Sequence, residues 1–182
     1  MHEISPSAEL TPGQMDSQWP EIEHLGVRAT VCYIRRNGKI LLQLKADHKF
    51  GGGRWNGPGG KLEPGEDPHT AIVREVREET GLVIADPVFH GVIALSFGVP
   101  ETYRLTAHVF TTDTFSGSPQ GGAEGRLRWF AEDKMPYHQM WVDNRYWLPI
   151  VLDGGHVRAL CVFDGIDGHT MLDCRLATRL TP

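Results

Sequence analysis

The chain has 182 residues, 40% hydrophobic and 23% charged, the size and make-up of one soluble globular domain with room for a tail. Its 18 Lys and Arg against 23 Asp and Glu leave a net charge of −5, the wrong sign for a general nucleic-acid binder. An anionic substrate would therefore need local cations or a metal, and no apolar run approaches the roughly 20 residues of a membrane-spanning helix.

Residues 1–25 carry Pro6, Pro12 and Pro20 among Ser, Glu and Gln, with no apolar period and no basic or apolar region of a secretory signal. They read as a mobile arm, docked at most through Trp19 or Ile22, ahead of a domain over 26–180. ATVCYIRR and KILLQLK, joined by Arg36-Asn37-Gly38, predict a β-hairpin. HKFGGGRWNGPGGKLEPGE holds too many Gly and Pro for helix or strand. Asp67-Pro68 then predicts a helix start and Gly81 its C-terminal stop, with AIVREVREET between. Val83 to Phe97 and Tyr103 to Phe115 predict two long strands around a turn at Gly98 and Pro100. RLRWFA predicts a short strand, and a helix is expected from about Tyr146 or Pro149 to Leu152. A closing hairpin turns at Asp164 to Gly168. Mixed strands with one or two helices and no βαβ rhythm predict an α+β fold. The three cysteines, Cys32, Cys161 and Cys174, are odd in number and lack CxxC pairing, so reduced thiols in a cytoplasmic protein are expected. The nine histidines show no ligand spacing.

The chemistry concentrates in the helix after the glycine-rich loop. Glu75, Glu78 and Glu79 stand at i, i+3 and i+4, which brings three carboxylates onto one face. Crowded like charges repel and raise one another's pKa, and such an oxygen-rich cluster suits Mg²⁺ or Mn²⁺, hard cations that bridge protein and phosphate oxygens. Ile72 and Val76 form the apolar stripe that seats the helix, and Arg74 and Arg77 can offset the carboxylates. A salt-bridged, solvated helix face is the plain alternative.

The full spacing argues against that alternative. Gly60, five residues, Glu66, seven residues, then Arg74-Glu75-Val76-Arg77-Glu78-Glu79-Thr80-Gly81-Leu82 matches every position of the Nudix box, and the chain resembles a Nudix hydrolase. The resemblance implies a mixed sheet between helices, cleavage of a nucleoside diphosphate linked to another group, and water attack on phosphorus assisted by a divalent metal. It implies that Glu75, Glu78 and Glu79 are the metal-binding and water-activating set. Arg74 would orient them, and a carbonyl of Gly59 or Gly60 would add a ligand. Which glutamate is the base stays open.

GRWNGPGGKLEPGE, HVFTTDTFSGSP, MWVDNRYWLP and the closing hairpin are similar to the animal oxidised-purine nucleoside triphosphate hydrolases, a MutT-like group. That likeness implies a purine nucleoside triphosphate substrate such as 8-oxo-dGTP or 2-hydroxy-dATP, cleaved to monophosphate and pyrophosphate. It implies that Asn56 hydrogen-bonds the base and Trp141 stacks on it. Phe50 and Leu105 fall at apolar walls, Thr30 and Lys45 at the pocket floor and mouth, and Glu124 near the metal. Asp143 and Asn144 stand where the group has two aspartates; an amide cannot titrate, so some breadth of substrate is expected to be lost. Pro58 is a second departure. The plainer readings are core packing for Trp141, helix capping for Asp143 or Asn144, a turn for Asn56, a solvated strand end for Lys45 and a helix-start charge for Glu66. A Nudix hydrolase of dinucleoside polyphosphates or nucleoside diphosphate sugars, and a nucleotide-sensing module without turnover, are the rival functions. No nucleic-acid polymer or membrane is expected as partner, and the assembly is a monomer or homodimer.

Overall fold

The computed structural model describes residues 8–9 and 26–179. In chain order the strands are β1 (Ala8–Glu9), β2 (Val27–Arg36), β3 (Lys39–Lys45), β4 (Trp55–Asn56), β5 (Val83–Ile84), β6 (Val88–Phe97), β7 (Tyr103–Thr112), β8 (Phe115–Ser116), β9 (Gly125–Ala131), β10 (His156–Phe163) and β11 (Met171–Arg179). Helix α1 (Pro68–Thr80) follows β4, and α2 (Asn144–Leu152) precedes β10. The chain divides into two compact units, and β2, β6 and β7 each contribute residues to both.

One unit comprises Ala29–Phe89 and Val109–Trp141. Here β2 and β3 form the predicted antiparallel hairpin, turning at Asn37 (φ 52°) and Gly38, in register Ile34↔Leu41. The other edge of β3 pairs with β9 along its whole length, and β4 adds Gln43↔Asn56 and Leu44↔Trp55. Ile72 and Val76 of α1 sit fully buried with Cys32, Ile34, Leu41, Leu82, Ile84 and Phe110. Each such aliphatic side chain contributes about 1.5–3 kcal/mol relative to exposure, so this stripe, rather than helix propensity, fixes α1 on the sheet.

The other unit holds His90–His108 and the chain from Val142 on, with β1 and Gly26–Arg28. Its sheet is mixed: β10 runs antiparallel to β11 and parallel to β6, from Val157↔Gly91 to Phe163↔Phe97. Phe97 and Phe163 stack at 5.1 Å, and α2 buries Trp147, Leu148, Val151 and Leu152.

Several expectations are revised. The strand expected over Val83 to Phe97 breaks after Ile84, because Asp86 turns at φ 46° and Pro87 has no N–H to continue a ladder. Tyr103 to Phe115 likewise splits, and Phe115–Ser116 pairs with Val83–Ile84 in a small separate sheet. Helix α2 begins at Asn144, so Pro149 lies inside it rather than at its start. Within the glycine-rich loop, Trp55–Asn56 is strand. Cys161 and Cys174, expected to be reduced, form a disulfide: they are directly opposed on β10 and β11, with Cα atoms 4.0 Å apart. Only the hairpin register could have revealed that pairing. Cys32 is free and buried, and burial pushes its thiol pKa well up. Of the arm expected over 1–25, Ala8–Glu9 pairs in parallel with β11; the rest, Trp19 and Ile22 included, lies outside the described residues. Among the described residues no helix is long and apolar enough to cross a membrane.

Candidate active site

The site begins with the way α1 is held at both ends. The Asp67 carboxylate accepts the backbone N–H groups of His69 and Thr70 at 3.0 and 3.1 Å, with Pro68 opening the first turn. Gly81 closes the helix at φ 72°, donating its N–H to the Arg77 carbonyl. Both ends follow the sequence expectation.

The loop ahead of α1 is laced to β2. The Thr30 N–H donates to the Gly60 carbonyl at 2.8 Å and the Cys32 N–H to the Pro58 carbonyl at 2.9 Å. A Cβ on Gly59 would lie 2.3 Å from the Thr30 carbonyl oxygen, and one on Gly60 would lie 2.4 Å from Glu75 Oε2. Glycine at these two positions is what lets backbone and carboxylate meet.

Around that loop the carboxylates are distributed over two cations. Glu79 is only 6% exposed; its Oε2 accepts the Gly59 N–H at 2.8 Å and its Oε1 meets Lys45 Nζ at 2.5 Å. Lys45 also donates to the Gly59 carbonyl. Arg74 grips Glu66 with two nitrogens, at 2.9 and 2.7 Å. It also reaches Glu75 at 2.8 Å and Glu78, whose side chain is 60% exposed, at 3.2 Å. Burial raises the pKa of Glu79 against the pull of Lys45, and raises that of Glu75 against the pull of Arg74. Glu66 moves the other way, held low chiefly by its bonds from Arg74. Glu66 is thus an anchor for Arg74 rather than only a helix-start charge, a role its distance in sequence concealed.

In the same unit, Asn56 and Trp141 each have partners of their own. Asn56 Oδ1 accepts from the Tyr33 hydroxyl at 2.9 Å and from the Gly57 N–H at 3.0 Å. Trp141 is 6% exposed. Phe50 stacks on it at 5.3 Å and the Arg54 guanidinium lies 4.5 Å from its ring centre. Thr30 is buried against the Gly60 carbonyl, and Lys45 is paired, not a solvated strand end. Tyr33 and Arg54 carried no sequence signal beyond strand and loop composition.

The remaining expected residues have the following surroundings. Glu124 pairs with Lys49 at 2.7 Å. Leu105, Asp143 and Asn144 belong to the other unit. Asp143 occupies the N-cap position of α2 without capping it; its Oδ2 accepts the Trp147 indole N–H at 2.7 Å. Asn144 is buried as the first residue of α2.

A family model described as the NUDIX domain matches residues 24–150. The chain belongs to the Nudix family. It is 36% identical over 138 residues to the oxidized purine nucleoside triphosphate hydrolase of Danio rerio, covering 76% of this chain and 87% of that protein. The mouse protein of the same name is 36% identical over 126 residues, covering 68% and 78%. In fold, a crystal structure of the mutator MutT protein from Bacillus halodurans overlays with a TM-score of 0.73 at 24% identity, covering 82% of this chain and 97% of that one.

Nudix hydrolases generally need a divalent metal. Among the described residues no three His, Cys, Asp or Glu side chains stand gathered to hold one as placed, since Arg74 and Lys45 take up the carboxylates. The charge count nonetheless fits a divalent ion. Glu66, Glu75, Glu78 and Glu79 are four carboxylates sharing two cations, an excess of two negative charges. Two of the four are held in surroundings that disfavour an uncompensated anion, and all are the hard oxygen donors that Mg²⁺ prefers.

Proposed function

We propose that this Nudix hydrolase cleaves an oxidised purine nucleoside triphosphate, such as 8-oxo-dGTP or 2-hydroxy-dATP, to nucleoside monophosphate and pyrophosphate. The carrying observation is four carboxylates shared between only two cations, with Glu75 and Glu79 set against the Gly59-Gly60 backbone. The names of the Danio and mouse relatives support the choice of substrate.

Glu75, Glu78 and Glu79 would hold Mg²⁺, with the carbonyls of Gly59 and Gly60 beside them. Once bound, the cation polarises phosphoryl oxygens and lowers the pKa of water. Arg74, anchored on Glu66, sets the direction of Glu75 and Glu78. Glu75 and Glu79 have carboxyls raised by burial, which suits either to take a proton from attacking water. Lys45 and the Gly59 N–H hold the Glu79 carboxylate in place. Asn56 reads the base edge and Trp141 supplies an aromatic face, worth about 1–3 kcal/mol per stacked base. For Leu105, Asp143 and Asn144 a part in base recognition rests on the likeness to the oxidised-purine hydrolases alone. The enzyme is cytoplasmic and acts as monomer or homodimer on free nucleotides, with residues 26–180 as its catalytic domain.

Incubation with Mg²⁺ and a panel of nucleotides tests this. Monophosphate and pyrophosphate from the oxidised purine triphosphates, at rates well above those for dinucleoside polyphosphates and nucleoside diphosphate sugars, are expected. Turnover confined to the latter two, or tight binding with no turnover, would reject it.

A further inference from the structure

Tyr33 is a phenol with no exposed surface, in the middle of β2. A buried hydroxyl needs a partner, and this one donates to Asn56 Oδ1 at 2.9 Å. The Gly57 backbone N–H reaches the same oxygen at 3.0 Å. A backbone N–H can only donate, so the oxygen end of the Asn56 carboxamide, not its nitrogen, must face Gly57. Two donors then occupy both lone pairs of Oδ1. The Nδ2 amino group, on a half-buried side chain, makes no hydrogen bond to the described residues. The outward face of Asn56 is thereby reduced to N–H donors.

We propose that Tyr33 is a positioning residue for base specificity: by holding Oδ1 it fixes the Asn56 carboxamide so that Asn56 reads an acceptor, not a donor, on the purine edge. The inference rests on the reading that Asn56 meets a purine. Asparagine is by nature ambiguous, because turning the carboxamide over exchanges its donor and acceptor ends. The bond from Gly57 joins adjacent residues and supports the group from one side only. The Tyr33 hydroxyl, arriving from 23 residues away, closes the other side. A site with a fixed donor rejects an edge that presents another donor, since one of the two is left unpaired. The residue that sets the amide's orientation therefore sets the discrimination, without touching substrate itself.

Tyr33→Phe removes the hydroxyl and keeps the ring, so the packing around β2 survives; its fold is checked by thermal melting. With 8-oxo-dGTP and 2-hydroxy-dATP as substrates, KM for the preferred one is expected to rise about 5- to 20-fold, the effect of one hydrogen bond, with kcat within about twofold. The ratio of kcat/KM between the two is expected to move toward unity. A folded variant with KM and ratio unchanged, or with the loss entirely in kcat, overturns the proposal. The side-chain amide resonances of Asn56 in ¹⁵N-labelled protein give a reading independent of turnover. Tyr33→Phe should shift them and speed their exchange, and identical spectra overturn the proposal even if neither nucleotide is a substrate. If the unsubstituted protein hydrolyses no purine triphosphate, the substrate assignment fails, and the Asn56 spectra alone decide whether Tyr33 orients the amide.

Discussion

Glu79 experiences the sharpest conflict of forces in the site. Burial disfavours its anion, while Lys45 at 2.5 Å and the Gly59 N–H at 2.8 Å stabilise it. Glu79→Gln keeps the shape and an oxygen for Gly59, and removes the charge and the proton acceptor. We expect kcat at saturating Mg²⁺ to fall by about 10²–10⁴, the scale of losing an acid–base or metal contributor, and steady-state kinetics on the purified variant decide it. Near-normal turnover would show that Glu79 serves only to pair Lys45. Asn144 is a different kind of residue. It cannot share a proton with Asp143 as a second carboxylate could, and Asp143 is itself bound to the Trp147 indole. Asn144→Asp is therefore expected to change the ratio of rates on 8-oxo-dGTP and 2-hydroxy-dATP by several-fold, and an unchanged ratio would remove Asn144 from base recognition.

At the scale of elements, α1 and the loop before it act as one device, because Gly60 lies where a side chain would strike Glu75. The Cβ of a Gly60→Ala variant would come 2.4 Å from Oε2, the far end of a flexible side chain. The carboxylate can swing aside at little cost in stability, but it loses its place. We expect Gly60→Ala to melt within a few degrees of the unsubstituted protein while losing about tenfold or more in kcat; a matched loss of stability would mean that the glycine serves the fold alone. This device was the most legible part of the sequence. Asp67, Pro68 and Gly81 mark helix ends by local stereochemistry, and the spacing of Glu75, Glu78 and Glu79 follows from 3.6 residues per turn. What the sequence hid was non-local. Glu66 meets Arg74 only because the loop folds back on the first turns of α1. Tyr33 looks like any strand aromatic until the β2–β4 geometry brings Asn56 to its hydroxyl. The Cys161–Cys174 bond depends on a hairpin register, and the break at Asp86-Pro87 on a single turn inside an apolar run.

On the scale of the whole molecule, a divalent ion held by the proposed carboxylates would offset their excess of two negative charges and so raise stability. A ligand that binds the folded chain alone stabilises it by about 2.7 kcal/mol at a hundred times its Kd, which for a domain of this size is a rise in Tm of about 5–10 °C. The dependence on pH has a definite sign. Burial holds the Glu75 and Glu79 carboxyls above their unfolded values, so the folded chain keeps their protons longer than the unfolded chain does. Their contribution without metal is fully present below the ordinary carboxylate range and is lost as pH rises through the raised folded values. A metal that requires the anions reverses that loss. Melting curves with and without Mg²⁺ should therefore diverge as pH is raised from about 5 to 8, with the metal-bound protein ahead by more at each step. In the Glu75→Gln/Glu79→Gln double variant, which lacks both raised carboxyls, the Mg²⁺ shift should shrink to a degree or two and lose its pH dependence. A shift of equal size in that variant would place the stabilising ion away from α1, and with it the assignment of these carboxylates as metal ligands would fall.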